Sequence, residues 1–189
     1  MMKNQNICNI SFFIIAGVVI CIAFFNRPEV SSGMDQVEQN PRITETEHSK
    51  KSVVHLYFSD KDNSFLKAET RDLFHSDNPA EFGKKIIEAL IEGPKTGLMR
   101  TIPANTTLKA FYITRDGTAY VDVSDTIRDA HPGGVKSELF TIYSMVNSLT
   151  LNIPEMDAVK ILISGKEAMT LDGHIDMRFP FKANMLLIR

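Results

Sequence analysis

The stretch from Asp116 to Leu151, DGTAYVDVSDTIRDAHPGGVKSELFTIYSMVNSLTL, limits the fold more than any other part of the chain. Asp116-Gly117 separates two alternating segments, Leu108 to Ile113 and Thr118 to Val123. An Asp-Gly pair in that setting is the strongest short-range signal for a β-hairpin. In the second strand Ala119, Val121 and Val123 fall on one face, and Tyr120 and Asp122 on the other. A loop carrying His131-Pro132-Gly133-Gly134 follows. Leu139, Ile142, Val146 and Leu149 then recur at helical spacing, with Phe140 and Tyr143 widening the stripe. Glu138, in the first turn, suits the positive end of the helix dipole. A strand that runs through a loop into an amphipathic helix must lay that helix on a sheet, which places the domain in the α/β (α+β) class.

The remaining segments read as packing around this unit. Val53 to Phe58 alternates and is β-branched and aromatic, so it is a strand. The polar run Ser59 to Ser64 turns it into a second strand, Phe65 to Leu73, in which Lys67, Glu69 and Arg71 share a face. Asp60, Asp62 and Asn63 resemble the start of a calcium loop but lack its glycine and distal glutamate, so turn chemistry explains them better. Asn78-Pro79-Ala80-Glu81 starts a helix, with Asn as N-cap, Pro at the first position and Glu81 able to complete a capping box. Gly93-Pro94 ends it. A loop of about a dozen residues, Lys95 to Thr107, is long for its place. Val159 to Ile163 is a further strand, and Met185 to Ile188 offers a last short one. The expected fold is a small mixed sheet with two helices in a split-βαβ arrangement.

The N-terminus differs in kind. Ile7 to Phe25 carries no charge and is about long enough to cross a hydrocarbon core as a helix. Lys3 precedes it, which places residues 1–6 in the cytoplasm and the remainder outside. Cys21 follows Val19 and Ile20, a poor setting for lipid attachment, and no small-residue pair makes a convincing cleavage site. An uncleaved signal anchor over residues 7–25 is therefore the expectation, ahead of a cleaved or lipidated form. Residues 26–51 have few apolar residues and no period, and read as a disordered tether to a domain over 52–189.

Both cysteines, Cys8 and Cys21, lie in the apolar run, so the domain has no thiol for catalysis, metal binding or a disulfide. A net charge of −2 gives no basic face for nucleic acid. Nucleophile elbows, phosphate loops, zinc-helix motifs and dinucleotide glycine patterns are missing. One candidate set remains: Asp122, Glu138, His131 and His174 with Asp176. Two histidines and two carboxylates could ligate a metal, and Asp122, Glu138 and His174 are the core of a ligand-binding or hydrolytic alternative. Each also has a structural role available. Asp122 can accept bonds from the loop after its strand, Glu138 can serve the helix dipole, and His174 can bond a backbone group in a turn. The structural reading is preferred, with no cofactor, no metal and no enzymatic activity expected.

Short motifs in a fixed order carry a resemblance. They are VHLYFSDKD from Val53, the E-x-R of Glu69 and Arg71, ALIEGP ending in Gly93-Pro94, TIPANTTL from Thr101, DGTAYVDVS from Asp116, Gly133-Gly134 with Glu138, YSMVNSLT from Tyr143, and LDGHID with Gly173 and His174. Together they resemble the GerMN domain family, the sporulation and spore germination domain, from about Val53 to Pro180. The resemblance implies an α/β domain similar to the ring-building modules of secretion-type assemblies, carried outside the cytoplasmic membrane and acting in protein assembly without catalysis. It singles out Tyr57, Arg71, Gly93, Pro94, Asp122, Glu138, Gly173 and His174 as motif positions with structural or interaction roles. The protein that typifies the family has two copies of the domain, whereas this chain has room for one. The expected partners are another envelope protein or a second copy, and the membrane through residues 7–25.

Overall fold

Alternation becomes pairing in two separate places. The computed structural model describes residues 50–189. The expected cytoplasmic terminus, membrane span and most of the tether lie outside the described residues. Among the described residues no helix is long and apolar enough to cross a membrane. Strands β1 (Lys51–Ser59) and β2 (Leu66–Phe74) form an antiparallel two-stranded sheet. Strands β3 (Leu108–Ile113), β4 (Thr118–Val123), β5 (Ala158–Ile163) and β6 (Lys166–Glu167) form a second sheet in the order β3-β4-β5-β6. Among the described residues three α-helices complete the fold: α1 (Pro79–Glu92), α2 (Thr126–Asp129) and α3 (Val135–Thr150).

Two expectations are corrected here. β4 and β5 are parallel and direct neighbours, joined through α3, so the βαβ unit is not split by an inserted strand. The first hairpin is a sheet of its own, because β1 packs on α3 and α1 instead of pairing with the larger sheet. Smaller differences follow from local chemistry. The loop after β4 winds into the one-turn helix α2, and Met185–Leu187 is a 3-10 turn where a strand was expected.

α3 lies between the two sheets, which explains its burial. Phe140, Ile142, Met145, Val146 and Leu149 are in the core, but so are Ser144, Asn147 and Ser148. An apolar stripe accounts for one side of this helix. The polar side closes the free edge of β1. Ser148 Oγ accepts from Tyr57 N at 3.0 Å, and the Asn152 side chain accepts from His55 N and donates to His55 O at 2.9 and 2.8 Å. Ser59 exchanges both backbone bonds with Met99. Edge groups that would otherwise be unpaired in the interior are thereby satisfied.

α1 begins as its residues dictate. Asn78 Oδ1 accepts from Ala80 N and Glu81 N, and Pro79 occupies the first turn. The second half of the capping box is not made: Glu81 bonds Lys84, and Asn78 N donates to Ser76 Oγ instead. In the middle of α1, Gly83 lets the helix press onto β3. A Cβ there would stand 2.4 Å from Phe111 Cζ and 2.9 Å from Met156 Cε. Alanine in mid-helix normally stabilises by about 1 kcal/mol. At this position the ring of Phe111, itself 6% exposed, has nowhere to go. Gly83→Ala is therefore expected to destabilise by about 1–2 kcal/mol, the overpacking cost outweighing propensity. Urea unfolding of the two forms measures the sign.

Candidate functional site

Two buried charge clusters hold the loops to the frame, and they contain most of the residues singled out from sequence. The first is built on Glu138, in the first turn of α3 and fully buried. Its Oε1 accepts from Leu171 N at 2.9 Å and Asp172 N at 3.0 Å. Its Oε2 accepts from His174 N at 2.9 Å and from His174 Nδ1 at 3.0 Å. Burial pushes this carboxyl up, but the backbone N–H groups of Asp172, Ile175, Leu171 and His174 outweigh it and hold the group below the ordinary carboxylate range. Because an ionised carboxylate only accepts, the His174 proton sits on Nδ1. Glu138 thus does more than meet the positive end of its own helix. It fastens the C-terminal loop across the start of α3. His174 bonds this carboxylate, not the backbone group expected of a turn histidine, while Gly173 makes the turn at φ +94°.

Around this clamp stand Asp172 and His131. Asp172 Oδ2 accepts from Gly134 N, at the N-cap of α3, at 2.8 Å, and lies 3.8 Å from His174 Nδ1 and 4.0 Å from His131 Nδ1. His131 Nδ1 accepts from Gly133 N, so Nε2 carries the proton and faces Thr141 Oγ1 at 3.1 Å. Burial pushes His131 down, against the opposing charges of Asp172 and Glu138.

Glu138, Asp172 and His174 bring one ligand atom each within 4.8 Å of one another, the spacing of a metal site. The donor set does not fit one. The four acceptor positions of a carboxylate are matched by four N–H groups on Glu138, and His174 Nδ1 is protonated toward it. A cation would have to displace these bonds at a group with no exposure to water.

Asp122 and Asp176 are not part of this group. Asp122 Oδ1 accepts from Gly165 N at 2.8 Å, so it fixes the β5–β6 turn and not the loop that follows its own strand. Asp176 is exposed and bonded by Arg178, which holds its carboxyl down at about 2. The proposed trio Asp122, Glu138 and His174 is therefore divided between two places, and Asp172, inside the LDGHID motif, takes Asp122's place beside the other two.

The second cluster is built on the E-x-R pair. Glu69 and Arg71 both turn to the interior of β2, 3% and 8% exposed, while Lys67 stays in solvent. Arg71 Nε donates to Glu69 Oε1 at 2.8 Å, Nη1 to Glu92 Oε2 at 3.1 Å, and Nη2 to Gly93 O. Glu69 Oε2 accepts from Lys95 N and Thr96 N, both at 2.8 Å, and from Thr96 Oγ1. Burial raises the Glu69 carboxyl, but the Thr96 hydroxyl and Arg71 bring it below its usual value. Arg100 donates to Ile91 O and Glu92 O. α1 has no basic residue in its last turn, so these two arginines, distant in sequence, satisfy its terminal carbonyls. Gly93 caps the helix at φ +96°, and Pro94 starts the loop. Tyr57 is buried beside Leu66 and Phe140, which raises its hydroxyl pKa.

Open backbone beside exposed aromatic rings lies on β3. Thr114 N donates to Thr118 O, so Phe111 and Ile113 turn their backbone groups away from β4. Among the described residues no hydrogen bond engages them. Beside them Tyr112, 45% exposed, stacks on Tyr120 at 4.8 Å between ring centroids. β2 is tied only at its ends, by Arg189 N on Leu66 O and Lys85 Nζ on Phe74 O, and among the described residues the outward backbone groups of Ala68, Thr70 and Asp72 between them also have no partner.

This architecture, a βαβ unit with a helix-backed hairpin and charge clamps on its loops, defines a small α/β module in which, among the described residues, nothing points specifically to catalysis. The chain belongs to the Germane family, described as sporulation and spore germination, whose model matches residues 55–168. Among solved structures it is similar to the tandem GerMN domains of the sporulation protein GerM from Bacillus subtilis, 24% identical with a TM-score of 0.58, over 70% of this chain and 46% of that one. The chain thus spans less than half of the tandem structure. The first GerMN domain of the same protein matches at 24% identity and a TM-score of 0.58, over 70% of this chain and 98% of that one. A putative lipoprotein from Clostridium perfringens is 28% identical over 70% of this chain and 87% of its own, with a TM-score of 0.49. No curated protein matches the chain.

Proposed function

We propose that the chain is a membrane-anchored, non-catalytic envelope protein whose GerMN-type domain, held outside the cytoplasm by residues 7–25, assembles with another envelope protein or with itself, in a role linked to sporulation or germination. The observation that carries the reading is the open edge of β3. β1 is closed by α3 side chains and Met99, and β5 by β6 and by Phe181, which exchanges two backbone bonds with Val159. Among the described residues the backbone groups that Phe111 and Ile113 turn outward have no partner, next to an aromatic pair with Tyr112 exposed, the setting in which an extended partner segment adds as a strand.

The experiment is site-specific photo-crosslinking from position 112 of the full chain in its own cells, repeated with Ile113→Pro. That change removes an outward N–H and leaves the Thr114–Thr118 bond in place. A discrete crosslinked species that Ile113→Pro abolishes supports the reading. Identical crosslinking from both forms, or none from either at normal abundance, overturns it. Fractionation of a form lacking residues 7–25 tests the anchor: the protein should move from the membrane to the soluble fraction.

A further inference from the structure

A strand edge with free backbone groups is a template for other chains, including further copies of itself, and exposed edges are normally guarded by charges, proline or a bulge. β2, whose outward groups are also open, is guarded. Lys67 and Asp72 are exposed along it, and Arg189 and Lys85 close its ends. The straight part of β3 is not guarded. Residues 110–114 read AFYIT, with no charge and no proline. A bulge at Lys109 ends this stretch on one side, and the turn closed by Thr114 and Thr118 ends it on the other.

The stretch is symmetric about Tyr112. Phe111 and Ile113, on either side of it, turn their backbone groups outward, while Ala110, Tyr112 and Thr114 turn theirs to β4. An antiparallel copy that uses both outward residues has one register. Phe111 lies opposite Ile113 of the second copy, Ile113 opposite its Phe111, and Tyr112 opposite its Tyr112. A slide of two residues either way sets one of the outward pair against the bulge or the turn. In this register the two Tyr112 residues form a non-hydrogen-bonded pair, the kind in which side chains stand closest. Tyr112 already stacks on Tyr120 within the chain, the ring planes 8° apart, so the pairing continues one aromatic ladder across both copies. The same surface is used on each side, as a two-fold contact requires.

We infer that the partner at the β3 edge is a second copy of this chain, paired antiparallel through residues 110–114 about Tyr112. This names the partner for the edge on which the proposed function rests. The contact is shorter than a standard interface and holds weakly in dilute solution. The proposed anchor, by keeping copies on one membrane, supplies the concentration it needs.

The test uses two differently tagged full chains in the protein's own cells, both with Cys8→Ser and Cys21→Ser, under mild oxidation. Ala110→Cys in one copy and Thr114→Cys in the other face each across the two-fold with Cα atoms about 4.5 Å apart, within disulfide reach, and keep the tyrosine rings. The expected result is a species of twice the chain mass from this mixture, little from either form alone, and loss of the species when Ile113→Pro is added. Tyr112→Cys should link to itself. Linking through Thr70→Cys in place of these positions would put the contact at β2 and overturn the inference. Absence of linking at 110, 112 and 114, while photo-crosslinking from position 112 still captures a different protein, overturns self-pairing and leaves the β3 reading standing. Absence of any adduct from position 112 overturns both.

Discussion

Glu138→Ala is expected to lower stability by about 3 kcal/mol or more, read in a thermal melt as a fall of about 10 °C. The side chain is fully buried and is the acceptor for Leu171 N, Asp172 N, His174 N and His174 Nδ1. Removing it leaves those donors facing a void, and the loop they belong to covers Leu171 and Met177, which are part of the core. Glu138→Gln is not a rescue, because its amide N–H₂ would point at N–H groups on one side. The pH dependence separates charge from shape. The folded carboxyl titrates below the ordinary 4.5, so its contribution is fully present above about that pH and is lost as pH falls through the folded value. Glu69 shifts the same way, so Glu138→Gln should show a shallower acid limb, not a flat one. His131 adds an earlier loss that begins as pH drops below its ordinary 6.5, since burial disfavours its charged form. A loss under about 1 kcal/mol for Glu138→Ala would mean that water satisfies the loop as well as the carboxylate does.

The parts of this molecule set by local pattern were legible in the sequence. The Asp-Gly hairpin, the capped start of α1, the strand β5 and the long helix α3 each follow from neighbours in the chain, and the ordered motifs identified the family. What was not legible depends on where a second element lies. Ser148 and Asn147 look like the solvent side of an amphipathic helix until β1 is laid against the first and the backbone of Asn184 against the second. Gly83 looks like a weak point in α1 until Phe111 is seen in the space its Cβ would occupy. Asp172 was hidden in a turn motif, and its partners, Gly134 and His131, are about forty residues away, beyond any local rule. Glu138 reads from sequence as serving its own helix dipole, because sequence shows the nearest use of a charge and not the loop that returns to it. The E-x-R pair had the clearest available cue, two opposite charges at alternate positions of one strand face. That cue speaks of a partnership but not of depth.

Depth decides the outcome for Arg71. Arg71→Ala is expected to cost about 3–5 kcal/mol, well beyond what a surface ion pair is worth. Glu69 would remain 3% exposed, with the Thr96 hydroxyl and the amides of Lys95 and Thr96 but without a cation. Gly93 O would lose its donor at the end of α1. Arg71→Lys should recover little, since one ammonium cannot reach Glu69, Glu92 and Gly93 O in the geometry the guanidinium spans. A double-mutant cycle tells a stranded charge from lost packing. In a Glu69→Gln background there is no buried carboxylate to strand, so Arg71→Ala should cost about 2 kcal/mol less than in the native chain. Hydrogen exchange gives a local readout: the Lys95 and Thr96 amides should open more readily in Arg71→Ala, because the carboxylate that accepts them is no longer held in place by the guanidinium. Additive losses in the cycle, with exchange at those amides unchanged, would show that Arg71 stabilises by covering Phe58 and not by fixing Glu69.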